Sequence, residues 1–305
     1  MTSSVVEILR RRAARQSRVP HGDGASVALA VEGGAMRGVV SAGMVSALEA
    51  LGLTDAFDAV YGSSAGSLNA AYFLAGQAAL GTTIYFEDIN NRHFIDMRRP
   101  LVGRPVVNLS YLIDDVAVRR KPLDVQRVLA SLAPLRVLAT DLATSGCVAL
   151  REFADGHALL NAMRAGATMP IMAGQPVSYN GGRFFDASLT EPIPVPTAEA
   201  DGHTHILVLL TRPTESPRVL SGFDRAFVLP RLRRLSPELA ARYVDPGTAY
   251  SALLEHIAGG TGPMRRASVL GIRPTPPVVS KLERRSAVLR AGAERGYAAV
   301  VAAFG

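Results

Sequence analysis

The stretch Tyr61-Gly62-Ser63-Ser64-Ala65-Gly66-Ser67 constrains this chain more than any other. An apolar run, Phe57 to Tyr61, leads into it, and a helix-like run, Ser67 to Ala75, leads out. A serine caught between a strand end and a helix start sits on a sharp turn, and glycine at 62 and 66 lets the backbone make that turn without a Cβ clash. The spacing predicts a Ser64 hydroxyl held in the open at a helix N-terminus, where unpaired N–H groups and the positive end of the helix dipole favour developing negative charge. A G-x-S-x-G also arises by chance in a chain rich in glycine and alanine, so its surroundings must decide.

Upstream, Ser26 to Val31 has the continuous apolar, β-branched character of a buried parallel strand. It ends in Glu32-Gly33-Gly34-Ala35-Met36-Arg37-Gly38, and from Val39 to Leu51 apolar residues recur at helical spacing before Gly52. A Gly-rich turn opening a helix presents converging N–H groups that can hold a phosphate or an oxyanion. The phosphate readings fail: no Lys-Ser/Thr pair follows, as a P-loop needs, and Ala35 stands at the second glycine of a dinucleotide fingerprint. The oxyanion reading survives. One helix and one strand separate this turn from Ser64, so a right-handed crossover brings both turns to the carboxyl edge of one sheet. An α/β-hydrolase esterase would place more strands before the elbow and add a histidine.

The two motifs together resemble the patatin-like phospholipase family, which pairs a G-G-G-x-R-G oxyanion loop with a G-x-S-x-G elbow and uses a Ser–Asp dyad without histidine. The family's third motif, an aspartate followed by Gly-Gly or Gly-Ala, is matched by Phe185-Asp186-Ala187-Ser188, shortly before Pro192 and Pro194. Ala139-Thr140-Asp141-Leu142 and Met163 to Pro170 resemble its inner strand and its helix ending in proline. The likeness runs from Ser26 to Arg212 in the expected order. It implies a three-layer α/β/α domain with a mostly parallel sheet, Ser64 as nucleophile, Asp186 as base, and an oxyanion hole of the Gly33, Gly34 and Ala35 N–H groups. Arg37 is implied as a loop anchor or a phosphate contact, and Asn69 as a brace for a neighbouring loop. Two departures stand out: Ala35 replaces the third loop glycine, and Ala187 and Ser188 replace the glycines after Asp186. Neither removes a catalytic group, but an alanine at positive φ would be strained.

The histidines are expected to play no part. His203 and His205 precede or begin the apolar run Ile206 to Leu210, which places them at the sheet edge opposite the site. As an H-x-H pair they lack a third ligand, so no metal and no cofactor are expected. The lone Cys147 rules out an internal disulfide and reads as core. Net charge is +7, and all but Lys121 and Lys281 of the 33 basic residues are arginine. This bias reads as coding composition rather than nucleic-acid recognition, although arginine favours anionic headgroups.

Three parts are expected: a basic segment at 1–24, a catalytic core at 25–212, and a helical extension at 213–305 that packs on the same domain. The first carries Arg10, Arg11, Arg12, Arg15 and Arg18 and reads as a solvated helix or tail, with a membrane-surface helix or a transit peptide as alternatives. With no secretory h-region and no apolar run of bilayer length, the protein is expected in the cytoplasm, with peripheral membrane contact as a further option. Between Gly81 and Pro134 the pattern is irregular. Phe86, Phe94, Ile95, Leu109, Tyr111 and Leu112 are candidates there for a lid or acyl-chain pocket, or for ordinary core. Beyond Arg212, Val219, Leu220, Phe223 and Phe227 to Leu229 precede the cluster Arg231, Arg233 and Arg234, which reads as an anionic-lipid contact or a basic helix covering the sheet. Ser268 to Ile272 reads as a strand and Ser280 to Phe304 as a closing helix. The function read from all this is a serine acyl hydrolase of phospholipids or other lipids; the alternative is a catalytically weak lipid-binding or regulatory protein that keeps the fold.

Overall fold

A computed structural model describes residues 4–16, 19–214, 220, 222, 224–244, 247–258 and 267–305. Arg18, Val219 and Phe223 lie outside the described residues. The elements in chain order are α1 (Val5–Ala14), β1 (Val27–Val31), α2 (Val39–Ala50), β2 (Ala59–Ser63), α3 (Ala65–Leu74), α4 (Ala78–Glu87), α5 (Val125–Leu129), β3 (Leu135–Asp141) and β4 (Cys147–Leu150). They continue with α6 (Gly156–Ala167), β5 (Val177–Tyr179), β6 (Gly182–Asp186), α7 (Val195–Ala200), β7 (His205–Leu209), α8 (Leu229–Leu235), α9 (Pro237–Val244), α10 (Gly247–Ile257), β8 (Ser268–Ile272) and α11 (Ser286–Phe304).

The strands form one sheet in the order β5-β6-β3-β2-β1-β7-β8, with β4 also paired to β3. From β3 through β8 the neighbours are parallel, and β4, β5 and β6 add antiparallel pairs at one end. The central strands are apolar on both faces, as a sheet covered twice requires. Val27, Leu29 and Val31 of β1 and Leu207 and Leu209 of β7 face one buried cluster, which includes residues of α1, α2, α3, α4, α6 and α11. The alternate residues Ala28, Ala30, Ile206 and Val208 face a second cluster with α7 and α10. The result is a three-layer α/β/α domain.

The pairing register explains how the site is assembled. Val137 and Leu138 of β3 pair with Gly62 and Ser63 of β2 and also with Leu150 and Ala149 of β4. One residue further on, Ala139 pairs with Val148 of β4 and with Asp186 of β6. A strand has only two edges, so β2 and β6 follow one another along the same edge of β3. They run in opposite directions and meet head to head at Ser63 and Asp186.

Two expectations need correction. The N-terminal segment is not a solvated tail: α1 begins with a capping box between Ser4 and Glu7 and buries Val5, Ile8 and Leu9 in the first cluster. Arg12 is 2% exposed and donates to both carboxylate oxygens of Asp23, to Asp58 and to the carbonyls of Ala56 and Ala25. Residues 81–134, read as irregular, contain most of α4 and all of α5, plus a wide π-type helix at Tyr111–Arg120. The stretch after Arg212 supplies the sheet strand β8, parallel to β7, and the helix α11 against α2. Its helices α8 and α9 form a third apolar cluster with Phe185 and Leu189, on either side of Asp186 in sequence. Among the described residues, no helix is long and apolar enough to cross a membrane.

Candidate active site

Ser64 stands at the N-cap of α3 with φ 55° and ψ −127°, a conformation that L-residues rarely adopt. The glycines around it are required by close approach: a Cβ on Gly62 would lie 2.4 Å from Ser67 Cα, and one on Gly66 2.2 Å from the carbonyl oxygen of Val31. The second contact packs the start of α3 against the end of β1, just where the Gly-rich loop begins. Ser64 Oγ is thereby aimed at β6 and donates to Asp186 Oδ2 at 2.7 Å.

Asp186 is 4% exposed. Its Oδ1 accepts the Ser188 N–H at 2.8 Å, its own N–H donates to the Thr168 carbonyl, and its carbonyl accepts the Thr140 hydroxyl. Burial raises its carboxyl above the ordinary value of 3.8, against the hydrogen bonds from Ser64 and Ser188 and the charge of Lys281, which pull it down. Ala187 and Ser188, which depart from the expected glycines, have ordinary negative φ, so the backbone there needs no glycine.

The Gly-rich loop touches the elbow. A Cβ on Gly33 would sit 2.2 Å from Ser63 O and 2.8 Å from Ser64 Cβ. Gly34 has φ 149° and Ala35 has φ 52°, so the alanine does occupy a left-handed position. Among the described residues, no acceptor takes the N–H groups of Gly33, Gly34 or Ala35. The loop is fixed by its neighbours. Met36 N–H donates to Lys281 O at 3.2 Å and Arg37 N–H to Gly34 O at 3.1 Å. The Arg37 guanidinium is buried, donates to Thr211 Oγ1 at 3.0 Å and lies 3.9 Å from Glu32. Thr211 in turn donates its N–H to Glu32 Oε2 at 2.6 Å and its hydroxyl to Gly33 O at 3.3 Å. Asn69 donates to Gly38 O and Ser41 Oγ and accepts from Tyr85, which braces the far end of the loop.

Sequence reasoning missed Thr211 and Glu32 as loop supports. The signal for Thr211 was its position two residues past the end of a strand that pairs with β1. It also missed Lys281, whose backbone holds Met36 and whose charge reaches Asp186.

Ser64 and Asp186 lie in the wall of a cavity of about 1010 Å³ that Leu68, Ile89, Phe94, Leu109, Met169 and Leu189 help to line. Of the insertion candidates, Phe94, Leu109 and Leu112 reach this cavity, while Phe86, Ile95 and Tyr111 pack in or against the core. Cys147 packs against the second apolar cluster and also lines the cavity, and burial pushes its thiol up, so it stays protonated at neutral pH. His203 and His205 lie at the other end of the sheet, since His205 pairs with Val27 at the start of β1. His203 bonds to Ser26 and Tyr61 there, and burial lowers its ring. Among the described residues, no three His, Cys, Asp or Glu side chains converge as a metal site would require.

Residues 29–199 match the family Patatin, described as patatin-like phospholipase. The chain belongs to this family. Its membership makes this patatin-like chain a relative of lipid hydrolases and places both the Gly-rich loop and the elbow, together with Asp186, inside the matched region. It is similar to the uncharacterized protein YjjU of Escherichia coli (strain K12), with 24% identity over 206 residues. That alignment covers 65% of this chain and 56% of the relative, so this patatin-like chain spans a little over half of that protein's length. A crystal structure of VipD from Legionella pneumophila superposes with a TM-score of 0.43 and 12% identity, over 91% of this chain and 67% of that one.

Proposed function

We propose that the protein is a serine acyl hydrolase that cleaves fatty-acyl ester bonds of phospholipids or other lipids. The observation that carries this reading is the 2.7 Å hydrogen bond from Ser64 to buried Asp186, in the wall of a largely apolar cavity and beside the N–H groups of Gly33, Gly34 and Ala35, which meet no acceptor among the described residues. Ser64 Oγ attacks the ester carbonyl as its proton passes to Asp186. The N–H groups of Gly33, Gly34 and Ala35 hold the oxyanion, and the N–H of Ala65, at the start of α3, adds the helix dipole. Asp186 returns the proton to the departing alcohol, which leaves an acyl-enzyme. Water then attacks, gives its proton to Asp186 and releases the fatty acid, and the proton returns to Ser64. Arg37 acts here as the anchor of the loop rather than as a phosphate contact, because its guanidinium is buried against Thr211 and Glu32.

A carboxylate is a weak base for a serine hydroxyl. Burial, which raises the Asp186 carboxyl above its ordinary value, makes the carboxylate a stronger base and narrows that gap, and the transfer is concerted with attack. The test is a panel of fatty-acyl esters and phospholipids, with fluorophosphonate labelling alongside, against wild type, Ser64→Ala and Asp186→Asn. Both variants are expected to lose hydrolysis and to keep a native-like melting transition. Substantial turnover in either would refute the dyad. A wild type that binds lipid but neither labels nor hydrolyses would leave only the lipid-binding reading.

A further inference from the structure

The cavity has a rim that folding alone does not account for. Leu101 is 86% exposed, Val102 72% and Met97 59%. Leu101 and Val102 end a 3-10 turn, Arg99–Val102, that is stapled in place. The Arg99 guanidinium donates to the carbonyls of Arg92, His93, Phe94 and Val106, the Arg104 N–H to Arg99 O at 3.0 Å, and the Arg98 N–H to the Asp96 carboxylate at 2.9 Å. A turn this firmly held presents adjacent aliphatic side chains to water, where an ordinary surface turn carries polar ones.

Two observations place this turn at the cavity mouth. Met97 lines the cavity, and so does Leu282, itself 40% exposed. Arg284 joins the two segments by donating to Ile95 O at 3.4 Å. The charge around the apolar tip is mainly basic, with half-buried Asp96, which accepts the Arg98 N–H, as the neighbouring acid. Arg98, Arg104 and Arg284 are exposed beside it, residues 97–104 contain no acid, and the chain carries a net +7.

We propose that this turn docks the cavity mouth on an anionic lipid surface, with Leu101 and Val102 entering the acyl layer and Arg98 and Arg104 meeting headgroup phosphates. The inference rests on the lipid acyl hydrolase reading above. A lipid surface fits better than a protein partner because aliphatic tips flanked by arginine match the acyl layer and the anionic headgroups at their respective depths. Docked this way, an acyl chain passes from the interface into the cavity between Met97 and Leu282 without crossing water.

The test measures co-sedimentation of the full chain with vesicles of phosphatidylglycerol and phosphatidylcholine, with pure phosphatidylcholine as reference. Turnover of the soluble ester p-nitrophenyl butyrate is followed in parallel. Leu101→Gln with Val102→Gln is expected to weaken vesicle binding by at least about tenfold. Arg98→Gln with Arg104→Gln is expected to weaken it on the anionic vesicles and to flatten its salt dependence. Both pairs should leave soluble-ester turnover within about twofold of wild type. The proposal is overturned if the Leu101/Val102 pair binds vesicles like wild type, or if soluble-ester turnover falls with it. It is equally overturned if replacing Arg231, Arg233 and Arg234 by glutamine abolishes binding while the turn variants keep it, or if the turn variants change only the self-association of the chain in sedimentation. A chain that docks but hydrolyses nothing refutes the hydrolase reading alone; one that hydrolyses the soluble ester and ignores vesicles refutes docking alone.

Discussion

Ala35→Gly should stabilise the protein without loss of activity. Ala35 has φ 52°, locked on one side by the Met36 N–H bond to Lys281 and on the other by the turn that closes between Arg37 and Gly34. An L-residue in the left-handed region costs about 1–2 kcal/mol. Glycine removes that strain but loses about 0.5–1 kcal/mol more conformational freedom on folding. The Ala35 side chain is exposed, so little packing is lost with the methyl. The net gain is about 0.5–1 kcal/mol. With an unfolding entropy of roughly 0.6 kcal/mol per kelvin for a chain of this size, Tm should rise by about 1–2 °C. The main-chain N–H of residue 35 is retained, so kcat on p-nitrophenyl butyrate should be equal or higher. Differential scanning fluorimetry and initial-rate kinetics on purified protein measure both. A lower Tm, or a fall in kcat of more than about tenfold, would show that the loop depends on the alanine methyl and refute the strain argument.

The pH dependence of kcat/KM should carry an acidic limb above 3.8, because burial raises Asp186 and a protonated Asp186 cannot accept the Ser64 proton. Activity then falls as pH drops through that raised value, while the stability contributed by this group runs the other way, greatest at low pH and lost as pH rises through it. A limb at or below 3.8 would contradict the burial argument. Thr211→Val removes the acceptor for Arg37 and the donor to Gly33 O, and should cost about 1–2 kcal/mol in chemical denaturation and lower kcat more than it raises KM. An unchanged kcat would show that the loop holds itself. Arg12→Met strips the buried guanidinium from Asp23 and Asp58 and should cost roughly 3–5 kcal/mol; a loss under about 1 kcal/mol would mean that α1 is held by its apolar face alone.

Local chemistry made half of the site legible. The strand, Gly-rich turn and helix around Glu32 to Gly38 run from Val27 to Ala50, and the strand, elbow and helix around Ser64 run from Ala59 to Leu74, both short continuous stretches. Backbone sterics and apolar periodicity fix such units within their own sequence, which is why β1, α2, β2 and α3 fall where the sequence places them and why Ser64 has a positive φ. Parallel pairing of β1 with β2 also followed from the short crossover. The alternation of apolar residues could not assign Arg12. A buried guanidinium looks in sequence like any surface arginine until Asp23 and Asp58 are brought to it.

The rest was decided by long-range register. Asp186 lies 122 residues from Ser64, and no local pattern states that β6 returns antiparallel along the edge of β3 that β2 vacates at Ser63. That register, set by which faces of β3 and β6 must be buried, puts the carboxylate at 2.7 Å from the hydroxyl; a slip of one residue would turn Asp186 to the opposite face. The same holds for Thr211, which meets the loop because β7 pairs with β1 in the register Val31 to Leu209, and for Lys281 and Leu282, carried to the cavity mouth on the segment that leads into α11. Sequence determined the turns that can hold a reacting group, because their geometry is local. Only the tertiary structure decided which groups face one another across them, because that depends on burying two faces of one sheet at once.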